Sequence, residues 1–166
     1  MSSVAHLIKA GPVGCALAAG LTAGLATGCA RGPGLAESAD QLHADTRALL
    51  GEAAKRLGPA GARPLVLTDR TRRCPAGRAR WEFRGRVPLR DGPDGRIVLD
   101  QATDDSLTVA SARGYRLERP PARNPAGRRT FTMTRDAPPI IMVIRLRGGR
   151  RGFLELAAST PCLSAT

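Results

Sequence analysis

Chemistry in this chain would have to start from its cysteines, histidines and carboxylates, and these are few. The cysteines are Cys15, Cys29, Cys74 and Cys162, and the histidines are His6 and His43. No His/Cys/Asp/Glu spacing resembles a zinc or calcium site. Neither a G-x-S-x-G nucleophile elbow nor a phosphate-cradling G-x-x-x-x-G-K is present. His43 falls within an apolar-periodic segment beside Leu42, which reads as a partly exposed helix residue rather than a base or ligand. Asp104-Asp105 suits the positive end of a helix better than a catalytic carboxylate pair, and Asp91 and Asp94 belong to a Gly/Pro turn. Cys74 and Cys162 lack the C-x-x-C spacing or nearby activating histidine that a redox role needs. The expectation is a protein that is not an enzyme and takes no metal and no cofactor.

The specific motif lies at Cys29. A polar start ends in Lys9, and an uncharged stretch from Ala10 to Gly28 follows it. Positive start, apolar middle and small residues before a cut are the parts of a secretory signal. Leu25-Ala26-Thr27-Gly28-Cys29 resembles the lipobox of bacterial lipoproteins, with Ala26 standing where that pattern prefers leucine. The resemblance implies removal of residues 1–28, diacylglycerol on the Cys29 sulfur, and placement at the extracytoplasmic face of the cell membrane. Two or more acyl chains, at about 0.8 kcal/mol per buried methylene, make such anchoring stable. Ala30 after the cysteine would permit outer-membrane sorting in a Gram-negative cell.

Cysteine arithmetic runs the same way. Cys15 would leave with the signal and Cys29 would carry lipid, so Cys74 and Cys162 remain as a pair for a disulfide in an oxidising compartment. Closing so long a loop contributes about 4–5 kcal/mol from chain entropy. Cleavage after Ala26 would instead leave three thiols. An uncleaved anchor helix is a further alternative, since the uncharged stretch is nearly long enough to span, although its glycines argue against it. Residues 29–35 then form the lipidated cysteine with a short tether, and 36–166 a single exported domain.

That domain must be built around an aliphatic core. Its aromatic residues are Trp81, Phe83, Tyr115, Phe131 and Phe153, so the packed centre should lie between them. A helix is expected over Ser38–Leu57, because Ala39, Leu42, Thr46, Leu49, Leu50, Ala53 and Leu57 recur at helical spacing. Ser38 and Gln41 form a capping-box pattern, and Gly58-Pro59 a stop. A strand over Arg63–Thr68 should lead through a basic turn, Asp69–Arg73, to Cys74. Alternation from Arg78 to Val87 places Ala79, Trp81, Phe83, Gly85 and Val87 on one face and the charges on the other, a half-buried antiparallel strand. The run Ile97–Leu99 should precede a second helix capped by Thr103 and closed by Gly114. Strands over 129–135, 140–147 and 151–158 complete the domain. Patterning favours an odd, three-residue loop at Gly148-Gly149, which keeps Met142, Ile144 and Leu146 on the same face as Leu154 and Leu156.

The order helix, two strands, helix, three strands predicts an α+β two-layer sandwich. Its mainly antiparallel sheet of about five strands would carry two helices on one face and one disulfide. As a whole the chain resembles the small envelope lipoproteins of high-GC actinobacteria, a resemblance that implies no known activity.

Charge is the remaining signal. The formal net charge is +12, and of 26 basic residues only Lys9 and Lys55 are lysines. So skewed a ratio, with this much Ala, Gly and Pro, usually reflects GC-rich codons, yet a basic surface attracts anionic polymers whatever its origin. Arg78, Arg80, Arg84 and Arg86 share one strand face, and Arg145, Arg147, Arg150 and Arg151 surround the last hairpin. Within one sheet they could form a single patch. The leading expectation is a non-enzymatic binding or accessory module contacting another envelope component, a protein or an anionic polymer, through its open sheet face. The alternative is direct electrostatic binding of anionic lipid head groups or cell-wall polymers by these arginines. Nucleic acid is not expected as a partner, given export and the lack of an aromatic stacking platform.

Overall fold

A computed structural model describes residues 34–90, 95–120 and 127–164, and for 95–97 the backbone alone. Cys29 and the whole of residues 1–28 lie outside the described residues.

The first helix, α1, spans Leu35–Leu57 and buries Ala39, Leu42, Thr46, Leu49, Leu50, Ala53 and Leu57 along one stripe. It begins a turn earlier than expected, with Gly34 at its N-cap and no side-chain cap. Ser38 is therefore inside the helix: its N–H donates to the Gly34 carbonyl, and its buried hydroxyl finds no partner. The capping-box reading fails because the helical spacing extends through Leu35, while Glu37 supplies first-turn acidity. At the other end the Gly58 N–H closes onto the Ala53 carbonyl.

Two strands follow, β1 over Leu65–Arg73 and β2 over Arg78–Pro88. The expected basic turn at Asp69–Arg73 is thus strand. It pairs with β2 from Asp69 opposite Phe83 to Arg73 opposite Ala79, after a register shift between Val66 and Thr68. This segment lacks an alternating apolar signal because almost all of it is exposed, so backbone pairing rather than burial holds it. In β2 the alternation is as read: Ala79, Phe83, Gly85 and Val87 are buried, while Trp81 is half-buried. Gly85 is needed at its position, since a Cβ there would overlap Leu50 Cδ1 on α1.

The second helix, α2, runs Gly95–Ser111, eight residues ahead of its expected start. Thr103 is mid-helical and donates its hydroxyl to the Leu99 carbonyl. Asp104 and Asp105 are likewise mid-helical rather than at the positive end, and Asp105 lies 3.8 Å from Arg56 on α1. Tertiary contact overrides the local signals here: Leu99, Ala102, Ser106 and Ala110 form the stripe that packs inward. Gly114, at φ +82°, closes the segment, and Tyr115 enters the core.

The remaining strands are β3 (Arg116–Leu117), β4 (Arg128–Asp136), β5 (Pro139–Arg147), β6 (Phe153–Ser159) and β7 (Leu163–Ser164). The sheet order is β1-β2-β6-β5-β4-β3, with β7 beside β2, and every pair is antiparallel. Five long strands match the expected number, and the two-residue strands β3 and β7 are additions. The β5–β6 loop is odd but longer than expected. Arg147 pairs with Phe153, leaving Gly148–Gly152 as the connection, while Leu146 still faces the same way as Leu154.

Both helices pack on one face of this sheet, α1 mostly on β2 and β6, and α2 on β3, β4 and β5. The core between the layers includes Leu42, Leu50, Phe83, Phe131, Met142, Ile144, Leu154 and Leu156. The Cys74–Cys162 disulfide, with Cα atoms 6.0 Å apart, ties the end of β1 to the β6–β7 connection.

Candidate anion-binding cleft

The last long strand, β6, does not stay at the edge but inserts between β2 and β5. That placement brings arginines distant in sequence onto one open face. Register then sets their neighbours: Arg86 lies opposite Glu155, Glu155 opposite Arg145, and Arg145 opposite Thr130. One row along, Phe153 is opposite Arg147, and Arg147 is opposite Arg128.

Glu155 is the centre of the arrangement. Its Oε1 accepts from Arg84 at 2.8 Å and from Arg145 at 3.4 Å, and its Oε2 accepts from Arg86 at 2.7 Å. The carboxylate is only 3% exposed, whereas the three arginine side chains are 40–48% exposed. Burial alone would raise the Glu155 carboxyl, but hydrogen bonds from Arg86 and Arg84, with their charges, hold it below the ordinary glutamate value. Arg86 also lies 4.2 Å above the Phe153 ring, a cation–π contact that fixes its plane. Glu155 acts as a rivet that orients guanidiniums while leaving much of each one facing water.

Arg84, Arg86, Arg128, Arg145 and Arg147 line a shallow cleft of about 360 Å³, with Glu155 as its one carboxylate among the described residues. Arg128 and Arg147 face each other directly across β4–β5, a like-charge pair that is unfavourable until an anion lies between them. A second concavity of about 350 Å³ adjoins it, floored by Ala157 and Ser159, and Arg84 lines both. Together they follow β6, whose seven residues extend about 20 Å.

The sequence-derived arginines thus separate. Arg84, Arg86, Arg145 and Arg147 meet in the cleft. Arg80 lies further along β2, 2.5 Å from Glu82, and lines the adjoining concavity. Arg78 pairs with Ser164 of β7 at the far end, and Arg150 and Arg151 stand exposed in the β5–β6 loop. Arg128 was not foreseen, and neither was the role of Glu155. The five-residue loop decides the latter, because it sets Glu155 against Arg145, whereas a three-residue loop would set Phe153 there.

Two further polar constellations lie on the helix side. Asp45 of α1 is fully buried and accepts from Gln41, Arg113, Tyr115 and Arg135 at 2.9–3.1 Å. Its place on the Leu42–Thr46–Leu49 stripe was the available signal. Burial, followed by the charge and hydrogen bond of Asp45, pushes the Tyr115 phenol well above its usual value, so it remains a proton donor. His43, partly exposed as expected, bonds Asp69 at 2.8 Å. Asp69 also accepts from the Trp81 indole at 2.6 Å, and His43 meets that indole edge-on.

Among the described residues, no group of His, Cys, Asp and Glu is arranged to hold a metal ion, and no helix is long and apolar enough to cross a membrane. Comparison with protein-family models, with curated proteins and with solved structures finds no match to this chain.

Proposed function

We propose that this protein is a non-enzymatic envelope module, anchored by lipid on Cys29 at the extracytoplasmic face, that holds a linear anionic cell-wall polymer along β6. The observation that carries the reading is the cleft itself, in which five guanidiniums surround one carboxylate and Arg128 opposes Arg147 across two strands. A phosphate-bearing chain would relieve that repulsion and meet the planar donors of Arg84, Arg86 and Arg145. The elongated concavity suits an extended chain better than a flat bilayer, which favours protruding cations. Lipid at Cys29 would supply the address, and the arginine trough the grip.

The test uses the mature protein with Cys29→Ser, titrated with poly(glycerol phosphate) at increasing salt. Binding should weaken steeply as the Debye length falls from about 10 Å at 0.1 M toward about 3 Å at 1 M. Arg84→Gln with Arg145→Gln should weaken it at every salt concentration. Binding indifferent to salt and to these changes would refute the reading. Tighter binding to phosphatidylglycerol vesicles than to the polymer would transfer the cleft to lipid head groups.

A further inference from the structure

The free edge of the sheet at β1 is built unlike the rest of the molecule. Every residue of this nine-residue strand is exposed except Thr68. Leu65, Val66 and Leu67 are 59%, 55% and 42% exposed, and being consecutive they present apolar surface on both faces. The other edge, β3, is only two residues long, the usual way of blunting a sheet edge. Among the described residues β1 has a strand on one side only, so half of its backbone donors and acceptors face outward.

The strand is nevertheless held firmly. Its end is tied through Cys74 to Cys162, and Asp69 at its centre accepts from both His43 and Trp81. A rigid, exposed and partly apolar edge is what strand addition requires, since the ordering cost on this side has already been met by the fold.

Charge indicates what lies alongside. The first third of β1 is apolar, and its last four residues include Arg70, Arg72 and Arg73; Arg70 and Arg72 share the one carboxylate of Glu82 with Arg80, so positive charge remains in excess. Asp69, the one acid in the strand, is already engaged by His43 and Trp81. A second copy paired antiparallel would set each set of arginines against the other copy's Leu65–Leu67, matching neither. A complementary segment is acidic where it runs beside Arg70–Arg73 and apolar beside Leu65–Leu67.

We infer that β1 is a docking strand: an extended segment of a partner protein, acidic in one half and apolar in the other, adds to the sheet along Leu65–Arg73. This contact uses the outer edge of β1, whose Thr68 and Arg70 also line the concavity next to the cleft, and would give the module a protein partner in the envelope.

The mature protein with Cys29→Ser is titrated with a labelled nine-residue peptide, glutamate and threonine alternating in its first half and valine and threonine in its second. Two further forms carry N-methyl groups on alternate amides, one form on the odd positions and one on the even. One methylated form should lose at least about ten-fold in affinity and the other should keep it, because only one set of amides faces β1. Arg72→Glu with Arg73→Glu, which leaves the residues lining both concavities intact, should weaken the acidic peptide and strengthen one with lysine in place of glutamate. Equal loss in both methylated forms, or no binding of the parent peptide, would overturn the inference. So would loss of binding in Arg84→Gln with Arg145→Gln, which would place the peptide in the cleft. Concentration-dependent dimerisation abolished by Leu67→Asp would assign the edge to a second copy instead.

Discussion

Two carboxylates in this molecule are each surrounded by arginines, and they serve opposite ends. Asp45 is sealed between the layers, with four donors directed at its two oxygens: Gln41 from α1, Arg113 and Tyr115 from the α2–β3 connection, and Arg135 from β4. Glu155 is as deeply seated, but its three arginines stand on the open face with their outer edges in water. Around Asp45 the ion pairs join elements distant in sequence, and removing the carboxylate would strand Arg113, Arg135 and the Tyr115 hydroxyl. Around Glu155 the anion offsets only part of the charge it gathers, so the surplus remains available to a ligand. The cations differ only in degree, Arg113 and Arg135 being 36% and 21% exposed against 40–48% around Glu155; what sets Asp45 apart is that it also takes the buried Tyr115 hydroxyl between the layers.

The contrast can be tested by removing each carboxylate. Asp45→Ala should cost about 3–5 kcal/mol in urea denaturation, because it strands the buried Tyr115 hydroxyl together with two half-buried guanidiniums, and should leave polyanion affinity unchanged in whatever fraction remains folded. Next in size, Cys74→Ser with Cys162→Ser should lower stability by about 2–5 kcal/mol, because the bond closes a loop of 88 residues. The β1 edge, which depends on that tie, should show the greatest gain in amide exchange.

Glu155→Gln should cost less, about 1–2 kcal/mol, because its arginines are largely solvated. It should tighten polyanion binding, since the cleft loses its one negative charge. Acid makes the same change reversibly. The folded Glu155 carboxyl titrates below its ordinary value of 4.5, so its stabilising contribution is fully present above that pH. It is lost as pH falls through the depressed value, while the cleft becomes more positive. A polymer affinity that fell with pH in this range would break the comparison. The smallest effect belongs to Ser38→Ala, within about 0.5 kcal/mol, because the hydroxyl is buried without a partner and its removal leaves nothing unpaired.

Legibility followed burial. Where one face of an element is buried, the pattern carried its type and orientation, as in the α1 stripe and the alternation of β2. Where neither or both faces meet the core, it did not. The polar half of β1 read as a turn because nothing in it is buried. The start of α2 read only as an apolar run ahead of the helix because Ile97-Val98-Leu99 is too short to show a helical period. Asp104-Asp105 and Thr103 were assigned to a helix end on local preference, and packing of Leu99 and Ala102 moved that end away from them. In the cleft, the β2 arginines were legible from alternation, as was the matching face of the last hairpin. Alternation also puts Glu155 on the arginine face of that hairpin, but its place between Arg86 and Arg145, like that of Arg128 beside Arg147, depends on which strands become neighbours.

By itself, the sequence determined the layer architecture and the side of β2 that faces the core, and it set Cys74 with Cys162 once the lipoprotein resemblance had accounted for Cys15 and Cys29. Each follows from local periodicity or from counting, which need no knowledge of distant contacts. Only the tertiary structure decided that β6 lies between β2 and β5, that a five-residue loop sets Glu155 against Arg145, and that β1 ends the strand order. Those outcomes depend on strand order and register, which are selected by the packing of the whole inner face against α1 and α2. A single strand carries no record of its neighbours.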